Sequence, residues 1–300
     1  MTESKLNFSK LMLGTVQFGL NYGIANTRGK PSLDTVMAIL NEAWLGGVNA
    51  LDTAAAYGDS ETVLGEALTR LGLIDKMLIV SKVSPIPAGM PFCQAEKFIE
   101  TSICNSLRNL RIERLPVCLF HRDEDLKYYP ILKKMTERGL IGAGGISLDE
   151  HSAIEGAIAR TKYIQIPYNV LEWRYETLLE QAVQKGITIF ARSVYLQGLL
   201  LMDEASIRPG LCGIIPVRRR LEELARRHDM SLAGLCLRFV LSRTGISSVL
   251  TGVDNPAQLR ENLTLIKAGQ LPTALIEEIR LIVPKLPEEL IHPKLWSKTA

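Results

Sequence analysis

Short apolar runs recur along the chain, separated by longer amphipathic segments. The runs are LMLGTV, NALDT, MLIVSK, VCLFH, IGAGGIS, YIQIPYN, ITIFARS and SSVLTGV, eight in all. Amphipathic segments follow in turn: Leu33–Trp44, Glu61–Leu71, Ala95–Leu110, Tyr129–Arg138, His151–Arg160, Tyr175–Lys185, Val217–Arg243 and Pro256–Lys267. Several end in glycine, as in WLGG, RLG, ERG and QKG, which suits a left-handed helix cap. Strands alternating with helices imply parallel sheet, because parallel neighbours need a crossover. Eight such units predict a closed (β/α)8 TIM barrel. A doubly wound open sheet is the structural alternative. It is disfavoured because GTVQFGLNYGIANTRGKPS, after the first strand, is a long loop with no GxGxxG turn. A ninth helical stretch, Thr273–Val283, and the tail PKLPEELIHPKLWSKTA follow the eighth unit. The expected organisation is one barrel domain over 1–300, with about 270–300 as a C-terminal helical extension crossing the exterior toward one mouth.

Composition narrows the classes. Hydrophobic residues make up 47% of the 300, enough for a large core. The net charge of +3 is too small to point to nucleic acid or an anionic membrane. No apolar run reaches the roughly 18 residues of a spanning helix. The opening MTESKLNFSKLMLG lacks an apolar signal core, so a cytoplasmic location is expected. Five scattered cysteines show no CxxC or Cys/His spacing, which signals neither a disulfide framework nor a metal site. The basic run RRRLEELARR carries i,i+4 partners and suits a solvated helix face better than a nucleic-acid surface.

In such a barrel, functional groups gather at the C-terminal ends of the strands. Asp52 ends the second run, Lys82 the third and His121 the fourth, and Tyr57 lies on the loop after the second. Taken singly, each has an ordinary explanation as a turn cap or a solvated strand end. Together they make an acid/base set at one rim. A phenol is a reluctant proton donor near neutrality, and a nearby ammonium lowers its pKa. Asp52 can hold Lys82, Lys82 can tune Tyr57, and His121 can donate to the same substrate oxygen. Such a set protonates a carbonyl oxygen as charge develops on it, but it supplies no electrons, so a hydride donor is required.

DTAAAYGDSETVLGEAL, then IVSKV, then LFHRDEDL resemble the aldo-keto reductase superfamily, and the likeness runs along nearly the whole chain. LMLGTVQFG looks like that family's first strand, GGISLDE its fifth, YIQIPYNVLEW its sixth, and TGVDNPAQLRENL its cofactor segment after the eighth. The resemblance implies a carbonyl–alcohol oxidoreductase with Tyr57 as general acid/base, Lys82 and Asp52 adjusting it, and His121 orienting the carbonyl. It implies NADP(H), lying across the barrel mouth. Gly14, Thr15 and Asp52 would meet the nicotinamide side. Ser147 and Gln165, with Asn169 more weakly, would meet the carboxamide. Ser193, Leu196, Gln197 and Gly198 would meet the pyrophosphate, and Gly252, Asp254, Gln258, Glu261 and Asn262 the adenosine. Without the resemblance, Glu261 and Asn262 read equally well as a solvated helix face. Tyr22, Tyr195 and Trp296, and less so Trp173, are candidates for shaping a substrate pocket.

Two departures from the family pattern stand out. Arg192 replaces the aromatic residue that often stacks on the nicotinamide; it can stack as a planar guanidinium or pair with an acid such as Glu172. At the positions that would grip a 2′-phosphate, Asp254 and Gln258 carry no positive charge, and Arg260 should face away on the helix, which leaves NAD(H) open. The expected partner is a small carbonyl, sugar-like rather than steroid-like. The alternatives are a sugar dehydrogenase working oxidatively and a cofactor-binding regulatory subunit with little turnover. Oligomeric state is not indicated.

Overall fold

The computed structural model describes residues 6–296. Eight strands, β1 (Leu11–Gly14), β2 (Ala50–Asp52), β3 (Leu78–Lys82), β4 (Leu115–Phe120), β5 (Ile141–Ser147), β6 (Tyr163–Pro167), β7 (Thr188–Arg192) and β8 (Ile246–Gly252), pair in parallel as a closed barrel. The closure is β8 against β1, with Gly14 opposite Gly252. The (β/α)8 expectation is therefore met. Among the described residues no helix is long and apolar enough to cross a membrane.

Side chains alternate across each strand, and this alternation organises the molecule. Met12, Ala50, Val80, Val117, Leu119, Tyr163, Phe190 and Leu250 point inward and form the barrel interior. Phe8 closes the lower end, its ring edge-on to Phe190 with centroids 4.9 Å apart. The outward set, including Leu11, Leu13, Leu51, Ile79, Cys118, Ile164 and Ile189, packs under the helices in a second, larger core. Two residues past each inward core position lies the upper rim. Asp52, Lys82, His121, Gln165, Arg192 and Gly252 all share the inward parity of the residues beneath them.

The expected helix Val217–Arg243 is two helices, Ile215–Arg227 and Leu232–Leu241. The break falls at Asp229, whose φ is +50°, and Ser231 caps the second helix by accepting from the Gly234 N–H. Helical spacing of apolar residues continues on both sides and concealed the turn. The first-strand loop contains one helical turn, Val16–Gly19, where the sequence predicted only loop. After helix Thr273–Ile282, residues Glu288–Ile291 form a short turn, and the tail reaches the barrel mouth. The arginines of the basic run are largely engaged: Arg218 and Arg219 with Glu204, Arg226 with Glu223, and Arg227 with Glu278.

Candidate active site

A cavity of about 1050 Å³ opens at the C-terminal end of the barrel. Its floor holds the four residues singled out at the rim. Lys82 is almost wholly buried, and its Nζ donates to Asp52 Oδ1 at 2.7 Å, Asp52 Oδ2 at 2.8 Å and the Thr53 carbonyl at 3.0 Å. The Tyr57 hydroxyl lies 3.4 Å from the same ammonium. The His121 ring stands edge-on to Tyr57, with centroids 5.7 Å apart. Gln165 Nε2 donates to Asp52 Oδ1 at 2.7 Å, so this carboxylate takes hydrogen bonds from two sides.

The Tyr57 loop is fixed from behind. Ser60 donates to the Thr15 carbonyl at 2.8 Å and bonds to the Thr15 and Thr53 hydroxyls. Gly58 takes φ +58°, and a Cβ there would sit 2.5 Å from the Gly19 carbonyl oxygen. A Cβ on Gly19 would sit 1.8 Å from the Tyr57 carbonyl oxygen. Only glycines allow this close approach of two backbones.

Electrostatics at the floor differ from the sequence expectation in one respect. Burial raises the Tyr57 pKa above its ordinary value, and although Lys82 opposes this, it does not cancel it. The phenol is thus held neutral, as a donor. Burial also works against the Lys82 ammonium, but Asp52 and Tyr57 outweigh it, and its pKa is raised. His121 is pushed down to about 3 by burial and by Lys82 and Arg192. It is therefore a neutral imidazole near pH 7. Its Nδ1 is buried without a hydrogen-bond partner among the described residues.

Arg192 does not pair with Glu172. It binds Asp149 and the Leu148 carbonyl, and Asp149 also binds Lys294 of the tail. Glu172 is drawn aside by a tight backbone bridge to Asn169 and pairs with Arg174 and His292. Burial works against the Asp149 carboxylate, yet Arg192 and Lys294 overcome it and lower its pKa.

Most of the remaining candidates line the same cavity: Gly14, Tyr22, Ser147, Gln165, Ser193, Tyr195, Gln197, Gly198, Gly252, Asp254, Gln258, Glu261 and Asn262. Tyr195 donates to Asn262 Oδ1 at 2.9 Å, so Asn262 is a buried partner rather than part of a solvated face. Five candidates lie off the cavity lining. Thr15 has outward parity and bonds the Asp52 carbonyl. Leu196, at φ +47°, turns into the core. Asn169 is buried, accepting from the Leu171 N–H. Trp296 packs on the core flank, while its tail neighbours His292–Leu295 line the cavity. Trp173 is also outside the lining and packs against the core. Residues not singled out from sequence include Gln17, Asn26, Asp149, Asp203 and Lys294. Asp149 had a usable signal, since it shares the inward parity of Ser147. Lys294 had none, because nothing in the tail sequence fixes where it lands.

The loop after β7 has unusual backbone. Ser193, Leu196, Gln197 and Gly198 all take φ between +47° and +93°. Left-handed residues in a turn are one way of building a backbone concavity, and here the Leu196 and Gly198 N–H groups close the turn on the Ser193 and Tyr195 carbonyls. Two polar atoms, the His121 Nδ1 and the Gln17 Oε1, are buried in this cavity without partners among the described residues. The volume exceeds the 300–1,000 Å³ typical of single drug-sized ligands. The cavity has room for a dinucleotide together with a small substrate above the Tyr57 floor.

Residues 10–283 match the family model described as the aldo/keto reductase family. Aldo-keto reductase YhdN of Bacillus subtilis is 24% identical over 99% of this chain and 96% of its own length. D-threo-aldose 1-dehydrogenase of a Pseudomonas species is 27% identical, with 88% of this chain and 94% of that protein covered. Among solved structures, an aldo-keto reductase from Bacillus halodurans in its holo form superposes with a TM-score of 0.79 at 20% identity, covering 96% of this chain and 97% of the other. Family match, barrel and acid/base floor converge: this chain belongs to the aldo/keto reductase family, a family of oxidoreductases.

Proposed function

We propose that the protein interconverts a small hydroxylated carbonyl and its alcohol with a nicotinamide cofactor, Tyr57 delivering the proton in reduction. The observation that carries this reading is the buried Lys82 ammonium, shared between both Asp52 oxygens and the Tyr57 hydroxyl. The cofactor, when bound, supplies the hydride. Tyr57 donates its proton to the carbonyl oxygen as negative charge accumulates there, and Lys82 stabilises the phenolate left behind. His121, neutral, contributes an N–H to the same oxygen and fixes which carbonyl face is presented. Asp52 keeps Lys82 charged in a site that would otherwise discharge it. Ser147 and Gln165 would hold the carboxamide end, and the left-handed turn 193–198 the pyrophosphate. Proton donation of this kind is worth roughly 10²- to 10⁴-fold.

Charged groups near the floor, Arg192, Asp149 and Lys294, favour a polar substrate. Relatives named L-galactose dehydrogenase of Arabidopsis thaliana and D-threo-aldose 1-dehydrogenase support a sugar-like one. Those names also favour a second reading, oxidation of a sugar hydroxyl. The raised Tyr57 pKa supports reduction, since the neutral phenol is the acid and the phenolate the base. The test is turnover of aldoses and simple aldehydes in both directions, by wild type and Tyr57→Phe. Turnover lost in Tyr57→Phe with cofactor binding kept supports the reading. A wild type that binds cofactor yet turns over nothing across the panel would favour the regulatory-subunit alternative.

A further inference from the structure

Charge is divided unevenly along the cavity. The basic side chains on its lining are Lys82, Arg174, Arg192 and Lys294, all at the tetrad and tail side. Away from the tetrad, the cavity continues between the loop after β1, the loop after β7 and helix Pro256–Lys267. That stretch carries three carboxylates, Asp203, Asp254 and Glu261, and no lysine or arginine on its lining among the described residues. With the nicotinamide at Tyr57, as in the proposed function on which this inference rests, that stretch receives the adenosine.

The helix N-terminus there would ordinarily attract a phosphate. Here Pro256 brings no N–H and the Gln258 N–H is already taken by the cap. Asn255 accepts from the Gln258 N–H at 3.1 Å, and Gln258 Oε1 accepts from the Asp254 N–H at 2.7 Å. Gln258 thus braces the Asp254 backbone through its amide oxygen, while Asn255 caps the helix. Arg260 is turned to the outer face, where it pairs with Glu42. Burial raises the Asp254 pKa above its ordinary value, with Gln258 and Arg28 acting against it; Arg28 does not line the cavity. Asn26 Nδ2 reaches Asp254 Oδ1 at 3.5 Å, so the carboxylate is held at the cavity wall.

We propose that Asp254, supported by Glu261 and Asp203, makes this protein select NAD(H) and reject NADP(H). A ribose 2′-hydroxyl donates to a carboxylate, as acidic residues do in other dinucleotide sites. A 2′-phosphate placed there brings like charge toward Asp254, Glu261 and Asp203, with no lysine or arginine on that part of the lining among the described residues. The family expectation of NADP(H) is outweighed by this local field.

The test is fluorescence titration of the purified protein with NADH and with NADPH, at low salt and at about 0.5 M salt. Wild type is expected to bind NADH at least tenfold more tightly than NADPH. Asp254→Ser should narrow that ratio several-fold by improving NADPH, and high salt should narrow it in wild type by screening. Arg28→Ala should leave the preference for NADH in place or widen it. Equal binding of the two cofactors, or tighter NADPH binding that Arg28→Ala abolishes, would overturn the selectivity while leaving the proposed reaction intact. Failure of both cofactors to bind would overturn the proposed reaction and this inference together.

Discussion

Removing the Asp52 carboxylate should cost the fold as much as the chemistry. Lys82 and Asp52 are 1% and 5% exposed at their side chains, so neither is rescued by water. Asp52→Ala takes away two of the three short acceptors of the Lys82 ammonium, leaving the Thr53 carbonyl. It also strips Gln165 Nε2 of its acceptor. Breaking a buried pair from one side typically costs about 3–5 kcal/mol. At roughly 2 °C per kcal/mol for a chain of this size, the melting midpoint should fall by about 6–10 °C. Lys82→Met should cost a similar amount, by stranding Asp52. The double variant should cost no more than either single one, because no charge is left buried. The pH dependence supplies an independent check. In wild type the raised Lys82 pKa contributes stability fully present below the unfolded value of about 10.4, and lost as pH rises through the folded one. In Asp52→Ala burial dominates, the folded pKa drops below the unfolded value, and stability should rise with pH approaching that window. Thermal melts at pH 7 to 10 on the three variants decide it. Additive losses in the double variant, or a single-variant drop of under about 1 kcal/mol, would refute the claim that this pair is dry.

His121, at about 3 against an unfolded value of about 6.5, binds its proton more weakly when folded. Its contribution to stability should therefore fall as pH drops below 6.5 and keep falling toward 3, and denaturant titrations of His121→Asn should lack that component. Gly19→Ala places a methyl against the Tyr57 and Ser60 backbone, where no side chain can yield. It should cut kcat/KM by about 10²-fold by misplacing the Tyr57 loop, with cofactor affinity, read by titration, changed far less. Ser231→Ala removes the cap of helix Leu232–Leu241 and should cost about 1 kcal/mol in thermal melts.

The barrel was legible because its signal is repeated eight times. Alternating apolar strands and amphipathic helices leave few other topologies. Three of the four floor residues end apolar runs, and strand parity alone turns them inward. Other features were hidden for physical reasons. The break at Asp229 depends on one left-handed residue between a basic amphipathic helix and an apolar one, which periodicity does not register. The pairing of Arg192 with Asp149 rather than Glu172 depends on a local bridge at Asn169, a matter of loop geometry. The sign of the Tyr57 shift required knowing how dry the site is, since Lys82 and burial pull in opposite directions. The tail residues His292–Lys294 come from far along the chain, and only tertiary packing brings them to the mouth.

The inward parity shared by floor and interior bears on how such a chain can change over generations. Deleting one residue within β3 would turn Lys82 outward and, in the same stroke, expel Val80 from the barrel. Insertions and deletions in a strand are therefore eliminated as misfolded proteins before they can appear as altered catalysts. Changes in length are tolerated best in the loops above, so the reacting groups are held to the register of the core, while the loop surfaces around the mouth stay open to revision.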